Sequence, residues 1–441
     1  MPVRGDRRPL TRVAAAALGL AMVVTGAAAQ DGGLSAELRF SQRLVSSEGD
    51  LTGESLLGFG LSSETRNQVF EASLDGTYLT AIDSADDSGV IDPRFALSYG
   101  LQSRQTAVSL DLAYAEADVD SVFELDALPG IFVIDSGTRA RTRLGLDLAF
   151  GQEAPFGGTL ALGYSETRYS DTTDPGLLDE ETGSVDLTLR FDIDRRISAR
   201  VFAGYSETDR DGGTDVTRER LGAGADLAVT GTLDAALDLG LTRVTETTGG
   251  SDTVDEGLSF ALALTEARPN GAYTATLSSD LDESGRRSTL TLGRSIELRE
   301  ASLTARFGLS EGTDGDLRPL YALSYDQALP RSQFGVSLDQ AFATDTDGSE
   351  TLNTRMSVDW AFELTRTSTL GAGLNLRDTE VLGASGDAQR LDLSLTYSHA
   401  LTEDWSLIGG VTHTIEREDG SADIRSDEVF VGLRTSVGWR P

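Results

Sequence analysis

Apolar and polar residues alternate with a period of two along nearly the whole chain. In residues 429–439, Val429, Val431, Leu433, Val437 and Trp439 are apolar, and small or charged residues stand at most of the positions between them. This alternation is typical of a β-strand with one apolar and one polar face. We therefore interpret residues 429–439 as a strand.

Similar segments recur from Leu34 onward, and we count about 22 of them, or roughly 18 to 24 when errors at the boundaries are allowed for. A strand at the end of a chain has unpaired N–H and C=O groups that require a neighbour. We expect the last strand to pair with the first, which begins at Leu34. The predicted fold is all-β: a single transmembrane, up-and-down antiparallel β-barrel.

The connections between the predicted strands alternate between two kinds. One kind is short, as at residues 231–232 and 366–367, and the other is longer and acidic, as at residues 171–183 and 245–256. Outer-membrane barrels have short periplasmic turns and long extracellular loops. With an even number of strands, both ends of the chain would lie on the periplasmic side, and residues 30–441 would form one barrel domain.

Aromatic residues cluster near the predicted periplasmic ends of the strands. Trp360, Trp405, Trp439, Tyr99 and Tyr397 all lie there. Amphipathic rings form belts at the two interfaces of membrane barrels. We predict that these five residues form the aromatic belt on the short-turn side.

Residues 1–29 have the features of a cleaved secretory signal peptide. Arginines come first, an apolar run at residues 13–24 follows, and Ala27 and Ala29 fit a small-x-small cleavage site. The apolar run is shorter than the roughly 20 residues that span a bilayer. The sequence thus predicts export and a location in the cell outer membrane.

The composition narrows the possible partners. The 441 residues carry 71 acidic against 37 basic side chains, all of the basic ones arginine, for a formal net charge of −34. Such a charge disfavours nucleic acid as a partner and favours cations. With no cysteine, disulfides and thiol chemistry are excluded. The mean hydropathy of −0.18 is compatible with a barrel, because only every second strand residue meets lipid.

The polar face of the strands should line the lumen. Many of its residues are small, and the charged ones form the candidate lumen lining: Arg139, Arg141, Arg143, Asp147, Asp186, Arg190, Asp226, Asp234, Asp238, Arg306, Arg355, Asp359, Arg377, Arg390, Asp392 and Arg434. They could line a hydrated channel, or they could pair with one another in a filled lumen. A barrel of more than about 16 strands is wide enough for water, which favours the channel.

Two further expectations concern what occupies the lumen. After Gln30, the predicted first residue of the mature chain, only residues 31–33 precede the first strand, so we expect no plug domain. Residues 116–137 contain an apolar patch at residues 125–134 that should seek cover. This segment would either fold inward and constrict the lumen or form a short extracellular hairpin.

No constellation of residues predicts catalysis or a cofactor. His399 and His413 lie on adjacent predicted strands near opposite ends, too far apart to share a metal ion. Asp345 and Asp347 precede a glycine and are a weak Ca²⁺ candidate, but Asp-Gly is also a common turn former. We expect neither an enzyme nor a metal protein.

Taken together, the signal peptide, the alternating strands, the segregated loops and the aromatic last strand resemble a Gram-negative outer-membrane β-barrel of the porin-like kind. This resemblance implies outer-membrane lipid, lipopolysaccharide and the barrel assembly machinery as partners. The function expected first is passive diffusion of small polar solutes, with a preference for cations. The alternatives are an exporter of a polymer such as exopolysaccharide, or a structural or surface barrel that conducts nothing.

Overall fold

A computed structural model describes the part of the chain that forms the barrel wall. The described residues are 33–47, 49–83, 88–119, 137–173, 175–312, 315–344, 350–382, 386–420 and 422–440. They form 22 strands and the turns that join them. The predicted signal peptide, the apolar patch at residues 125–134 and the pair Asp345 and Asp347 lie outside these residues and remain predictions.

The strands are numbered in chain order. The first eleven are β1 (Gly33–Ser47), β2 (Asp50–Glu64), β3 (Gln68–Asp83), β4 (Gly89–Gln102), β5 (Thr106–Asp118), β6 (Thr138–Phe150), β7 (Phe156–Ser170), β8 (Glu180–Asp192), β9 (Ile197–Arg210), β10 (Asp215–Ala228) and β11 (Leu233–Thr248). The others are β12 (Ser251–Arg268), β13 (Gly271–Asp282), β14 (Gly285–Glu297), β15 (Ala301–Glu311), β16 (Leu317–Leu329), β17 (Ser332–Thr344), β18 (Glu350–Thr365), β19 (Ser368–Val381), β20 (Ala388–Ala400), β21 (Trp405–Glu418) and β22 (Ile424–Trp439).

Each strand pairs antiparallel with its neighbours in sequence, and the last strand pairs with the first. In that closing pair, Ala36 lies opposite Trp439 and Ser47 lies opposite Glu428. The sheet is therefore one closed ring of 22 strands. Closure provides hydrogen-bond partners for the edges of both terminal strands, as a barrel in lipid requires. The predicted strand number and the pairing of the first and last strands are confirmed.

The register separates the wall into two faces, because residues directly opposite each other in a sheet lie on the same face. Leu38 lies opposite both Phe59 and Val437. These three side chains are 40%, 40% and 52% exposed, and many other large apolar side chains of the same face are similarly exposed. Lipid takes the place of a core against this outer face, while the opposite, polar face encloses the lumen.

The described residues contain no helix that is long and apolar enough to cross a membrane.

Candidate functional site

The candidate site is the inner face of the barrel, which the register defines strand by strand. Asp186 of β8, for example, lies opposite Gly204 of β9, and Gly204 lies opposite Arg220 of β10. Tracing the partners in this way around the ring places all the predicted lumen-lining residues on the face opposite Leu38. That they line a water-filled path remains a prediction.

Arg200 connects two of the predicted residues into a half-buried cluster. Its Nε donates to Asp238 Oδ1 at 2.7 Å and its Nη2 donates to Asp238 Oδ2 at 2.8 Å, while Nη1 donates to Asp226. The Arg200 side chain is only 16% exposed. Gly224 provides the space, because a Cβ there would lie 2.1 Å from Asp238 Oδ1. Our sequence reasoning missed Arg200, although its alternation with Val201 places it on the inner face.

Arg390 forms a second cluster, across β20 and β21. Its Nε donates to both carboxylate oxygens of Asp392, at 3.0 and 3.1 Å, and its Nη1 donates to Glu416 Oε1 at 2.9 Å. Thr414 donates its hydroxyl to Asp392 Oδ1 at 2.8 Å. Charge-assisted hydrogen bonds of this kind fix the direction of the side chains along the wall.

The three predicted arginines of β6 have small residues, and no aspartates, opposite them on β5. Arg139, Arg141 and Arg143 lie in register with three alanines. Asp147, further along β6, accepts a hydrogen bond from Ser109 Oγ at 3.4 Å. The arginines thus form a row along the inner face of one strand.

The remaining predicted residues are distributed around the ring. Arg190 of β8 donates to the carbonyls of Gly151 and Gln152, both at 3.3 Å, and forms an ion pair with Asp192 at 3.3 Å. Each of the others lies directly opposite a residue of a neighbouring strand: Asp234 opposite Thr265, Arg306 opposite Gly293, Arg355 opposite Asp339, Asp359 opposite Gly335, Arg377 opposite Arg390, and Arg434 opposite Ser41. The structure brings together Asp226 with Asp238 and Arg390 with Asp392. It also places Arg355, Arg377 and Arg390 directly opposite one another on β18, β19 and β20.

An aromatic ring on the inner face, that of Phe202, was not predicted to face the lumen. Phe202 of β9 stacks under Arg220, whose guanidinium carbon lies 4.7 Å from the ring centroid. Gly222 leaves the room for this ring, because a Cβ there would lie 2.3 Å from Phe202 Cζ. An arginine held over an aromatic ring presents a cationic surface to the lumen.

The predicted aromatic belt residues lie near the strand ends that are joined by the short turns. Trp360 donates its ring N–H to Ser332 Oγ at 3.1 Å, and the Trp439 ring lies 6.4 Å from that of Phe59. Trp405 and Tyr397 are each 39% exposed. Tyr99 lies three residues before the end of β4. Their contact with the membrane interface remains a prediction.

The two histidines are far apart on the outer face. His399 Nδ1 lies 2.7 Å from Ser368 Oγ, and His413 Nδ1 lies 2.7 Å from Asp427 Oδ1. His399 is opposite Leu407, six residues before His413 on β21, which separates the rings by about 20 Å at 3.3 Å per residue. Across the described residues, no group of three or more potential ligands could hold a metal ion.

The fold, but not the sequence, matches known proteins. No protein-family model and no curated protein matches the sequence. Among solved structures, the FrpB iron transporter from Neisseria meningitidis is similar, with a TM-score of 0.58, 7% identity, and coverage of 92% of this chain and 82% of that one. The ferric-catecholate import receptor Fiu from E. coli K12 gives a TM-score of 0.56 at 10% identity, with coverage of 92% and 82%. The siderophore receptor PirA from Acinetobacter baumannii gives 0.53 at 10% identity, with coverage of 92% and 80%.

These similarities confirm the outer-membrane β-barrel fold, and location in the outer membrane goes with that fold. They also correct two expectations. The similar barrels are TonB-dependent siderophore receptors, which have a plug domain, so the expected fold class without a plug is wrong. Those receptors are active transporters, so the expected passive, porin-like channel is wrong as well. Both errors have the same physical origin: alternation reports the strands of the wall and carries no information about what occupies or energises the lumen.

Proposed function

We propose that this chain is the membrane barrel of an outer-membrane receptor that takes up a ferric siderophore or a similar metal chelate by an energised route. The observation that carries the proposal is the closure of 22 antiparallel strands, with β1 paired to β22. Barrels of this size are found in large outer-membrane transporters, and their width suits a solute larger than those that porins admit.

The chemistry of the inner face supports a ligand with anionic oxygen atoms. Catecholate and carboxylate groups present pairs of such oxygens, and the guanidinium fork of arginine matches this geometry. Arg220, stacked on Phe202, offers a planar cation beside an aromatic ring on the lumen side of β9 and β10. A flat aromatic chelate could stack on this surface and pair with its charge at the same time.

Uptake of radioactive iron tests the proposal. Cells that express the chain in a host lacking its own siderophore receptors should accumulate iron from ferric catecholate complexes. Uptake should saturate with concentration, and a protonophore should abolish it because the route is energised. Uptake that rises linearly with concentration and ignores the protonophore would contradict the proposal.

A matched pair of variants tests the proposed ligand surface. Arg220→Gln removes the lumen cation on Phe202, and we expect it to raise the concentration needed for half-maximal uptake by roughly tenfold, the equivalent of about 1.4 kcal/mol. Arg104→Gln removes the same charge from an exposed turn, where the Arg104 side chain is 84% exposed, and should leave uptake unchanged. Equal effects of the two changes would exclude a specific role for Arg220.

A further inference from the structure

The tip of the β13–β14 hairpin separates from the barrel wall. The β12–β13 ladder ends with Phe260 opposite Ser279, and the β14–β15 ladder ends with Ser288 opposite Glu311. Between these points, residues 280–287 pair only with each other, ending with Asp282 opposite Gly285. We call residues 280–287 the strap. Among the residues that the structure describes, the backbone of the strap pairs with no wall strand on either side, so side chains must set its position.

On one side the strap is held by two arginines of the inner face. Arg210 of β9 donates from Nη1 to Glu283 Oε2 at 3.0 Å and from Nη2 to Glu283 Oε1 at 3.1 Å, and Arg218 of β10 contacts Asp280 at 2.5 Å. Arg210 and Glu283 are four strands apart, or about 19 Å along an unbroken wall. Their bidentate contact requires the strap to bend across the intervening strands.

The burial of the wall beneath the strap shows that it bends inward. Thr242 and Val244 belong to the inner face of β11, since Val244 lies opposite Arg218. They are only 1% and 2% exposed, and the Thr242 hydroxyl donates to Asp280 Oδ1 at 3.4 Å. In the topology predicted from the loop lengths, the loop ends of these strands face outward, which puts the strap over the outer opening of the lumen.

On the other side the strap meets the outer end of the β17–β18 hairpin. The β16–β17 ladder extends no further toward this end than Ala322 opposite Asp339, so residues 340–344 pair only with β18. Arg287 of the strap forms an ion pair with Glu350, again four strands away, and stacks 4.4 Å above the Phe342 ring. Glu350 is 6% exposed.

We propose that the strap is a latch across the outer opening, held at one end by Arg210 and Arg218 and at the other by Glu350, and that its release controls access of solutes to the lumen. Ion pairs between side chains separate at a lower free-energy cost than a full backbone ladder, so the strap can move while the ladders of the wall stay intact. The role in access rests on the proposed uptake function, but the position and the release of the strap can be measured without any transported ligand.

Cross-linking tests the position of the strap. The chain has no cysteine, so Arg210→Cys with Glu283→Cys introduces a unique pair, while Arg218 and Arg287 still hold the strap. A bismaleimide much shorter than 19 Å should join this pair in intact cells. The control is Ser98→Cys with Ser184→Cys, also on the inner face and four strands apart, but across an unbroken ladder. Failure of the first pair to react, or equal reaction of both, would overturn the proposed position.

Thiol labelling tests the release. Thr242→Cys, covered by the strap, should react slowly with a membrane-impermeant maleimide added from outside. Asp280→Asn with Glu283→Gln removes the charges on one side of the latch, and we expect it to raise the labelling rate about tenfold, equivalent to about 1.4 kcal/mol. The matched control, Asp252→Asn with Glu256→Gln, removes the same charge from the exposed outer end of β12. It should leave the labelling rate of Thr242→Cys unchanged.

A second labelled position separates release of the strap from general loosening of the barrel. Ser41→Cys lies on the inner face of β1, 8% exposed and remote from the strap, and its labelling rate should stay constant in every background. Unchanged labelling at Thr242→Cys, or equal acceleration at both positions, would overturn the latch. Faster labelling at Thr242→Cys without iron uptake would retain the latch and refute the uptake function.

Discussion

The seam of the barrel, where β1 pairs with β22, and the strap are both formed by paired β-strands, yet different forces hold them. At the seam, β1 is paired on both sides, with β2 along its full length and with β22 from Ala36 to Ser47. At the strap, the ladders on both sides stop, and residues 280–287 rely on ion pairs to distant strands. A continuous ladder fixes a strand in the wall. The position of a hairpin that extends beyond its neighbours is instead set by its side-chain contacts.

The comparison implies that changes at the seam should affect the whole barrel, while changes at the strap should affect only the opening. Every strand of a closed ring depends on the seam, because opening it exposes two edges to lipid, where unpaired backbone groups are costly. The strap can swing without unpairing any ladder.

Leu433→Arg should cause the largest loss of barrel stability. Leu433 is on the outer face of β22, opposite Gln42 of β1 and Leu407 of β21. An arginine facing lipid near mid-membrane costs about 2–4 kcal/mol, falling to about 0–1 kcal/mol near an interface. Urea unfolding in lipid vesicles should show this difference between Leu433→Arg and Val437→Arg, which is closer to the periplasmic end. Undiminished stability of Leu433→Arg would show that the face assignment is wrong.

Arg200→Ala should cause the second-largest loss of stability, because it leaves two carboxylates close together on the inner face without their shared cation. Asp226 and Asp238 would lose their shared partner, and removing one partner of a buried ion pair costs about 3–5 kcal/mol. Asp226 is half exposed to the lumen, so we expect a smaller loss, about 1–2 kcal/mol. The same urea titration measures the loss. Labelling of Thr242→Cys should not change, since Arg200 does not contact the strap; a faster rate would mean that the wall and the opening are coupled.

The seam was predictable from the sequence and the strap was not, for a physical reason. Alternation assigns each residue to a face, and that was sufficient to place Leu34 and Trp439 in adjoining strands and to place Asp226, Asp238 and Arg390 on one face. The position of the strap depends on contacts with distant strands, such as Arg210 with Glu283 and Arg287 with Glu350, which no local pattern records. The plug and the energised transport of the similar barrels were missed because the strands of the wall do not encode them.

Gly432→Ala should weaken the seam without adding charge. A Cβ at Gly432 would lie 2.3 Å from the carbonyl oxygen of Gln42 in β1, a backbone atom that cannot move aside on its own. Overpacking of this kind costs about 1–3 kcal/mol, although relaxation of the seam should keep the loss near the lower value. Gly438→Ala in the same strand is the matched control, since its nearest neighbour lies 3.9 Å away. Equal urea midpoints for the two variants would show that a Cβ at Gly432 fits into the seam without overpacking.

Arg104→Ala should cause the smallest loss of stability among these variants. Arg104 pairs with Glu153 between two turns, at 2.5 Å, but the two side chains are 84% and 53% exposed. Water screens such a pair, so its loss should change the stability by at most about 0.5 kcal/mol, and less at high salt. The strap pairs are more buried, with Arg210 only 7% exposed, yet Glu283→Gln should also leave the urea midpoint nearly unchanged, because the strap is not part of a wall ladder. A large shift of the urea midpoint for Glu283→Gln, together with no shift for Arg104→Ala, would show that the strap stabilises the barrel itself. Seam and strap would then differ only in how much stability each contributes.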